Sequence, residues 1–279
     1  MSYRTIVVHL DDRLRCAARV SLAIGLAARH GSRLLGIAPT GLPDVIVTLN
    51  SAVPDGIECI ALSAAHLRGK AEEVARAFDA QCRAAGVASF ESRVVVDEAV
   101  DAIVRLGSCS DLVVIGQSDR SDPVAGVAFD FPQQVLLNAG VPVLMVPSGG
   151  SFATLGEHVL IAWKGTREAA RAVRDALPLL RAAGRVSLVE VAEAEPDTTG
   201  DGTLADAAAW LRSHHVAVEA SREPAQGGIG EQLQQWAAER RVDLLVSGGY
   251  GHSRLREWVL GGATRHLLDH MTLPTLLSH

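Results

Sequence analysis

Aromatic residues are scarce in this chain. They make up 4% of its 279 residues, so its cores have to be built from Val, Leu, Ile and Ala. Lysine is scarcer still, with Lys70 and Lys164 the two copies. Basic charge does not exceed acidic charge: Lys and Arg total 26 against 32 Asp and Glu, for a net charge of -6. That balance gives no electrostatic reason to bind nucleic acid or an anionic membrane. No apolar run reaches the roughly 18 to 20 residues of a spanning helix. The opening MSYRTIVVHLDD lacks a basic segment followed by an apolar one, so a cytoplasmic protein is expected. The four cysteines, Cys16, Cys59, Cys82 and Cys109, form no C-x-x-C pair and have no histidines at zinc spacing. Reduced thiols are expected, with no metal role.

Several catalytic signatures are missing too. There is no phosphate-binding P-loop and no G-x-S-x-G nucleophile elbow. Gly228-Ile229-Gly230 lacks the third glycine of a dinucleotide fingerprint and reads as a helix cap. His214 and His215 are adjacent, so on a helix they face different ways and cannot share a metal.

What the chain does have is a repeat. DLVVIGQSD starts at Asp111 and DLLVSGGYG at Asp243; 31 residues after each Asp comes a proline, Pro142 or Pro274, inside an apolar run. The segments beginning at Thr5 and His158 also match: a β-branched run, a turn, an Ala/Leu/Arg helix, a Gly and a second apolar run. Placing Ala17-Ala18-Arg19 on Ala169-Ala170-Arg171 gives an offset of 152, against 132 for the aspartates, so the second copy is 20 residues shorter between them. Two domains are expected, 1–148 and 156–279, joined through the turn-forming Ser148-Gly149-Gly150-Ser151.

Each copy alternates strand and helix. Strands are expected near 4–10, 33–39, 88–96, 111–116 and 142–147, then 158–163, 185–191, 216–221, 243–247 and 274–278. Helices are expected near 14–30, 61–85, 98–108 and 129–139, then 166–182, 202–214, 227–240 and 258–270. The strands are continuous apolar runs, such as Leu112-Val113-Val114-Ile115, as strands buried on both faces are. The fold class expected is α/β: two tandem, doubly wound, parallel five-stranded sheets of Rossmann-like type. Ligands of such sheets bind at the carboxyl ends of the strands, where the strand order reverses.

One motif carries chemistry. Gly248 and Gly251 follow the fourth strand of the second copy, and Gly261-Gly262 stand where the last helix is expected to start, giving G-x-x-G-x9-G-G. Glycines allow positive φ and a close approach to an anion. Backbone N–H groups ahead of a helix N-terminus can cradle phosphate. Ser253 and Thr264 offer hydroxyls, and His252 and Arg254 offer charge. The first copy has Gln117-Ser118-Asp119-Arg120-Ser121-Asp122-Pro123 after Gly116, and Phe129-Asp130 in place of the glycine pair. Two acids would repel a triphosphate, and Phe129 would obstruct the backbone.

This signature resembles that of the universal stress protein family, G-x-x-G-x9-G-[S/T]. The stretch GYGHSRLREWVLGGATRHLLDH is similar to tandem members, and the resemblance extends over essentially the whole chain. Gly262 departs from it, standing where ATP-binding members carry Ser or Thr. The resemblance implies a cytoplasmic stress-response protein that binds ATP or a related adenine nucleotide, with Mg2+ able to accompany it, in the second copy. The first copy would then be structural or regulatory. Ala162, Lys164, Val191, Gly248, Gly251, His252, Ser253, Gly261, Gly262, Ala263 and Thr264 are the implied ligand positions. The family's acidic residue after the first strand corresponds to Asp12, or Asp11, in the first copy and to Lys164 in the second. The resemblance also implies that the last strands of the two copies pair in an intrachain pseudo-dimer; a further homodimer is left open. Two rival readings stand beside this one. The first is a nucleotide hydrolase or transferase using Lys164 and His252. The second is an interaction protein without a ligand.

Overall fold

Asp111 and Asp243, which lead into the fourth strand of each copy, hold the chain that leads into the first. In the computed structural model, Asp111 Oδ2 accepts the N–H groups of Arg4 and Thr5 at 2.7 and 2.9 Å. Asp243 accepts three: Gly156 and His158 at 3.0 Å each and Glu157 at 3.1 Å. The repeated aspartate therefore ties the start of the first strand to the start of the fourth. The structure describes residues 2–41, 54–118, 131–192, 201–250 and 262–279, without the side chains of 54–63, 201 and 202.

The described residues fall into two compact units. One holds Ser2–Gly116 with Asn138–Val141, and the other holds Gln117–Leu137 with Pro142–His279. The first unit contains β1 (Thr5–His9), α1 (Cys16–His30), β2 (Arg33–Pro39), α2 (Pro54–Ala84), β3 (Phe90–Val95), α3 (Ala99–Gly107) and β4 (Leu112–Gly116). Its strands lie in the order β3-β2-β1-β4, all parallel. Val7 is paired with Leu35 on one side and Val113 on the other, and all three are buried. Each fully buried aliphatic side chain of this kind contributes about 1.5–3 kcal/mol. Helix α1 ends on Gly31, whose φ of 65° makes the left-handed cap.

The second unit receives α4 (Phe131–Asn138), except its last residue, and β5 (Val143–Val146) from the first copy. It continues with β6 (His158–Trp163), α5 (Arg167–Asp175), α6 (Leu177–Leu180), β7 (Arg185–Ala192), α7 (Asp201–Ser213), β8 (Glu219–Pro224), α8 (Ile229–Glu239), β9 (Leu244–Gly248), α9 (Gly262–His270) and β10 (Thr275–Ser278). The strand order is β5-β10-β9-β6-β7-β8. Every pair from β10 to β8 is parallel. β5 and β10 pair antiparallel, with Met145 opposite Thr275 and Val143 opposite Leu277, which is the expected meeting of the two last strands.

Three elements depart from expectation. The helix expected over 166–182 breaks at Ala176, because Pro178 has no N–H to give to the preceding turn. The strand expected over 216–221 runs from Glu219 to Pro224, in register with Ser187 to Ala192. Val216 and Val218 are buried but precede the strand. Helix α2 begins at Pro54, seven residues ahead of the expected 61.

Candidate functional site

In the second unit β6 lies between β7 and β9, so the strand order reverses between β6 and β9. Ala162, near the end of β6, pairs with Val189 and with Ser247. The sequence-predicted positions at these strand ends therefore stand side by side. Ala162 and Val191 pack on a cluster with Leu160, Val189, Leu233, Leu245 and Leu267. They share the sheet face that α8 and α9 cover, half-buried at its carboxyl end. Lys164 is exposed on the turn that follows β6.

The glycines do something other than expected. Neither Gly248 nor Gly249 adopts a positive φ; the left-handed residue is Tyr250, at φ 55°. A Cβ on Gly248 would stand 2.6 Å from the N of Ala169 and 2.7 Å from the carbonyl carbon of Glu168. Gly248 is glycine because the first turn of α5 lies directly on it. Thr166 caps that turn, its Oγ1 accepting the N–H of Ala169 at 3.3 Å. A Cβ on Gly249 would meet Leu136 Cδ2 at 2.7 Å. Left-handed backbone at a bulky residue stores about 1–3 kcal/mol and collects at functional sites. Tyr250 donates its N–H to Thr264 Oγ1 at 3.4 Å. That bond ties the end of β9 to the first turn of α9, so the two described ends of the glycine motif meet.

At the start of α9, Gly262 is exposed, and a Cβ there would meet none of the described residues within 4 Å. Ala263 is half-buried and Thr264 is buried. The Thr264 hydroxyl, expected as a donor to phosphate, accepts a backbone N–H and still has its own proton to give. Gly251, His252, Ser253 and Gly261 lie outside the described residues, as do Asp119 to Asp130 of the first copy. Gly228 is the cap of α8, as its sequence indicated. Gly230 has a separate reason: a Cβ there would stand 2.9 Å from the carbonyl oxygen of Ala263 and from His266 Cβ. It lets α8 and α9 touch. A groove of about 330 Å³ lies elsewhere in this unit, lined by Leu204, Ala205, Ala208, Arg212, Ala220 and Arg222, and shares no residue with the candidate site.

The equivalent place in the first unit is filled from within. Arg19, 2% exposed, lies at the ends of β1 and β4. Its Nε donates to the His9 carbonyl at 2.8 Å and its Nη2 stands 3.0 Å from Asp11 Oδ1. A Cβ on Gly116 would collide with Arg19 Nη1. Burial pushes the Asp11 carboxyl up, but the Arg19 charge, His9 and the Arg19 hydrogen bond outweigh it and hold it below the usual range. Burial drives the His9 imidazole down to about 4, with Asp11 opposing and Arg19 assisting. The other candidate acid, Asp12, is paired with Lys70 at 2.8 Å on the surface. Sequence reading passed over Arg19, although its phase was visible: it falls in line with Leu22, Ala23, Leu26 and Ala27 on the buried face of α1.

Residues 156–279 match the family model described as Universal stress protein family. The second copy is similar to a universal stress protein domain. A curated relative, Universal stress protein Slr1230 of Synechocystis sp., is 24% identical over 194 residues, which is 69% of this chain and 66% of that protein. The solved structure of a universal stress protein from Archaeoglobus fulgidus DSM 4304 covers 98% of this chain and 95% of its own at 16% identity, with a TM-score of 0.73. A protein from Pseudomonas aeruginosa UCBPP-PA14 covers 99% of this chain and 93% of its own at 15% identity, with a TM-score of 0.61. These likenesses extend the universal stress protein fold to both copies. Among the described residues no helix is long and apolar enough to cross a membrane.

Proposed function

We propose that the universal stress protein domain of the second copy binds ATP or a related adenine nucleotide, and that the first copy is its structural partner without a phosphate loop. The observation that carries this reading is the convergence at the switch point. The strand end at Ala162, the exposed Lys164, the Gly248–Tyr250 turn and the first turn of α9 belong to one carboxyl edge, with Tyr250 bonded to Thr264. A helix N-terminal end, such as that toward Gly262 in α9, offers N–H groups and the positive end of a helix dipole, which favour phosphate. Ala162 and Val191 supply an apolar, half-buried floor of the kind a base needs.

In the first unit the same crevice holds its own cation, Arg19, already engaged by Asp11. A nucleotide there would have to displace a buried ion pair, which costs several kcal/mol. Among the described residues no group of three or more His, Cys, Asp or Glu is placed to hold a metal, so Mg2+ would enter on the phosphates. The described site also offers no pair of groups suited to general acid–base work. The reading is therefore a binding protein whose occupancy is sensed by a partner.

Calorimetric titration of the full chain with ATP tests it. Saturable binding is expected, and Lys164→Ala should weaken it several-fold without abolishing it. No heat and no thermal stabilisation at millimolar ATP would sink the proposal. Turnover that collapses by orders of magnitude in Lys164→Ala would replace it with the hydrolase reading.

A further inference from the structure

Helix α9 carries His266 and His270, four positions apart and so on one face. Their rings are stacked, with centroids 4.7 Å apart and planes 28° from parallel. We propose that these two side chains form a chelating site for a divalent transition-metal ion of the zinc, nickel and copper class. Imidazole is the ligand those ions prefer, and a helix that offers two histidines at this spacing presents both to one ion. Zinc–nitrogen bonds are about 2.0–2.1 Å long, so two nitrogens on one ion stand about 3 Å apart. The rings are already neighbours, and side-chain rotation that turns one nitrogen of each toward a common point would bring them to that separation.

The packing supports a held ligand. His266 is half-buried, and its Cβ and Cδ2 lie 2.9 and 3.1 Å from where a Cβ on Gly230 would be. Glycine at 230 clears the volume the His266 ring occupies, and α8 forms the wall that limits its swing. His270 is exposed, which leaves the outer side open for the ion to enter. Asp269, the nearest acid in sequence, faces Arg265 at 3.8 Å. Among the described residues no third His, Cys, Asp or Glu completes a cluster, so water fills the remaining positions. The chelate has a mechanical consequence. The described part of helix α9 has nine residues, and a bridge across one turn would stiffen the element whose other end holds Gly262 to Thr264.

The test uses the full chain without a histidine tag. Zinc chloride and nickel chloride are titrated by calorimetry and followed by thermal shift, with magnesium as a hard-cation control. Micromolar zinc or nickel should raise the melting temperature, chelator should reverse the rise, and magnesium should do nothing. His270→Gln removes one ligand from an exposed position and should weaken binding at least about tenfold; His266→Asn should do the same from the buried side. A wild-type chain that ignores both metals, or a His270→Gln variant that responds as wild type does, overturns the site.

Discussion

Replacing Gly262 by serine should make the second copy a tighter nucleotide binder. The structure provides the terms. Among the described residues a Cβ at 262 meets no heavy atom within 4 Å, and the backbone there is outside the left-handed region, so the substitution adds a hydroxyl without strain against them. The position opens α9, where a serine is well tolerated. A hydrogen bond to a charged oxygen contributes about 1.5–3 kcal/mol; because Gly262 is exposed, the lower end applies. That is about tenfold in dissociation constant. Calorimetry with ATP should show the gain, and calorimetry with adenosine should not, since the new hydroxyl sits where phosphate is proposed and not where the base is. Thermal unfolding without ligand should be unchanged within about 1 °C, as expected of an exposed substitution near ±0.5 kcal/mol. Affinity for ATP within twofold of wild type, in a variant that melts normally, would refute the placement of phosphate at α9. An equal gain for adenosine would refute it as well.

Other outcomes follow from the packing. Gly248→Ala should destabilise the second unit by about 1–3 kcal/mol, because the new methyl meets α5 backbone and not a movable side chain; urea unfolding read by tryptophan fluorescence measures it, since Trp163, Trp210, Trp236 and Trp258 are all in the second copy. Asp243→Ala should cost about 1–3 kcal/mol in the same assay, because it strips the partner from three backbone N–H groups. His9 should make the first unit acid-sensitive. Its folded pKa lies at about 4, below the unfolded 6.5, so the unfolded chain takes up the proton first and stability is lost as pH falls from 6.5 toward 4. The full span corresponds to about 3 kcal/mol. Unfolding followed by far-ultraviolet circular dichroism should show that slope in wild type and lose it in His9→Leu; a slope that survives the substitution assigns it elsewhere. Asp11, whose pKa is also held down, contributes in a separate window, below the ordinary carboxylate range.

The strands were legible because central parallel strands must be apolar on both faces, and Leu112 to Ile115 or Leu244 to Val246 announce that directly. The edge strand β8 was not. Its place is set by the ladder to β7, and an edge needs little apolar content, so Glu219 to Pro224 pair while the more hydrophobic Val216 and Val218 do not. The break before Pro178 was written in the sequence, but the helical period on either side concealed it. At the site, Gly248 has a second physical reason that the motif did not announce. Gly248 was read as a residue that frees the backbone for an anion. Its neighbours give it a steric reason that holds with or without a ligand, and the unusual backbone sits on Tyr250, which no glycine rule could have selected.

The two copies show most clearly why a repeat in sequence need not be a repeat in chemistry. Gly116 and Gly248 both end a fourth strand. Arg19 and Arg171 occupy matching places in the first helix. Yet in the first unit the glycine faces a guanidinium, and in the second it faces helix backbone. The difference begins where each helix starts. Helix α5 starts at Arg167 with a threonine cap, and its first turn reaches the strand end. Its Arg171 then stays half-exposed, 3.6 Å from Asp175. Helix α1 starts at Cys16, on Arg15 without a side-chain cap, and Arg19 fills the space before the strand end. Once a cation is buried there it needs an anion, and Asp11 is the residue within reach. Asp11, one of the two candidates for the family's acid, thus becomes the partner of an internal arginine. Arg19→Met tests that chain of causes. Leaving Asp11 without its partner should cost about 3 kcal/mol, less than a fully buried break because Asp11 keeps some contact with solvent. The loss should appear in circular dichroism, while the tryptophan signal of the second copy holds its midpoint. If Arg19→Met unfolds no more easily than wild type, the crevice of the first copy is not closed by this pair, and the proposal that nucleotide is kept out of it loses its support.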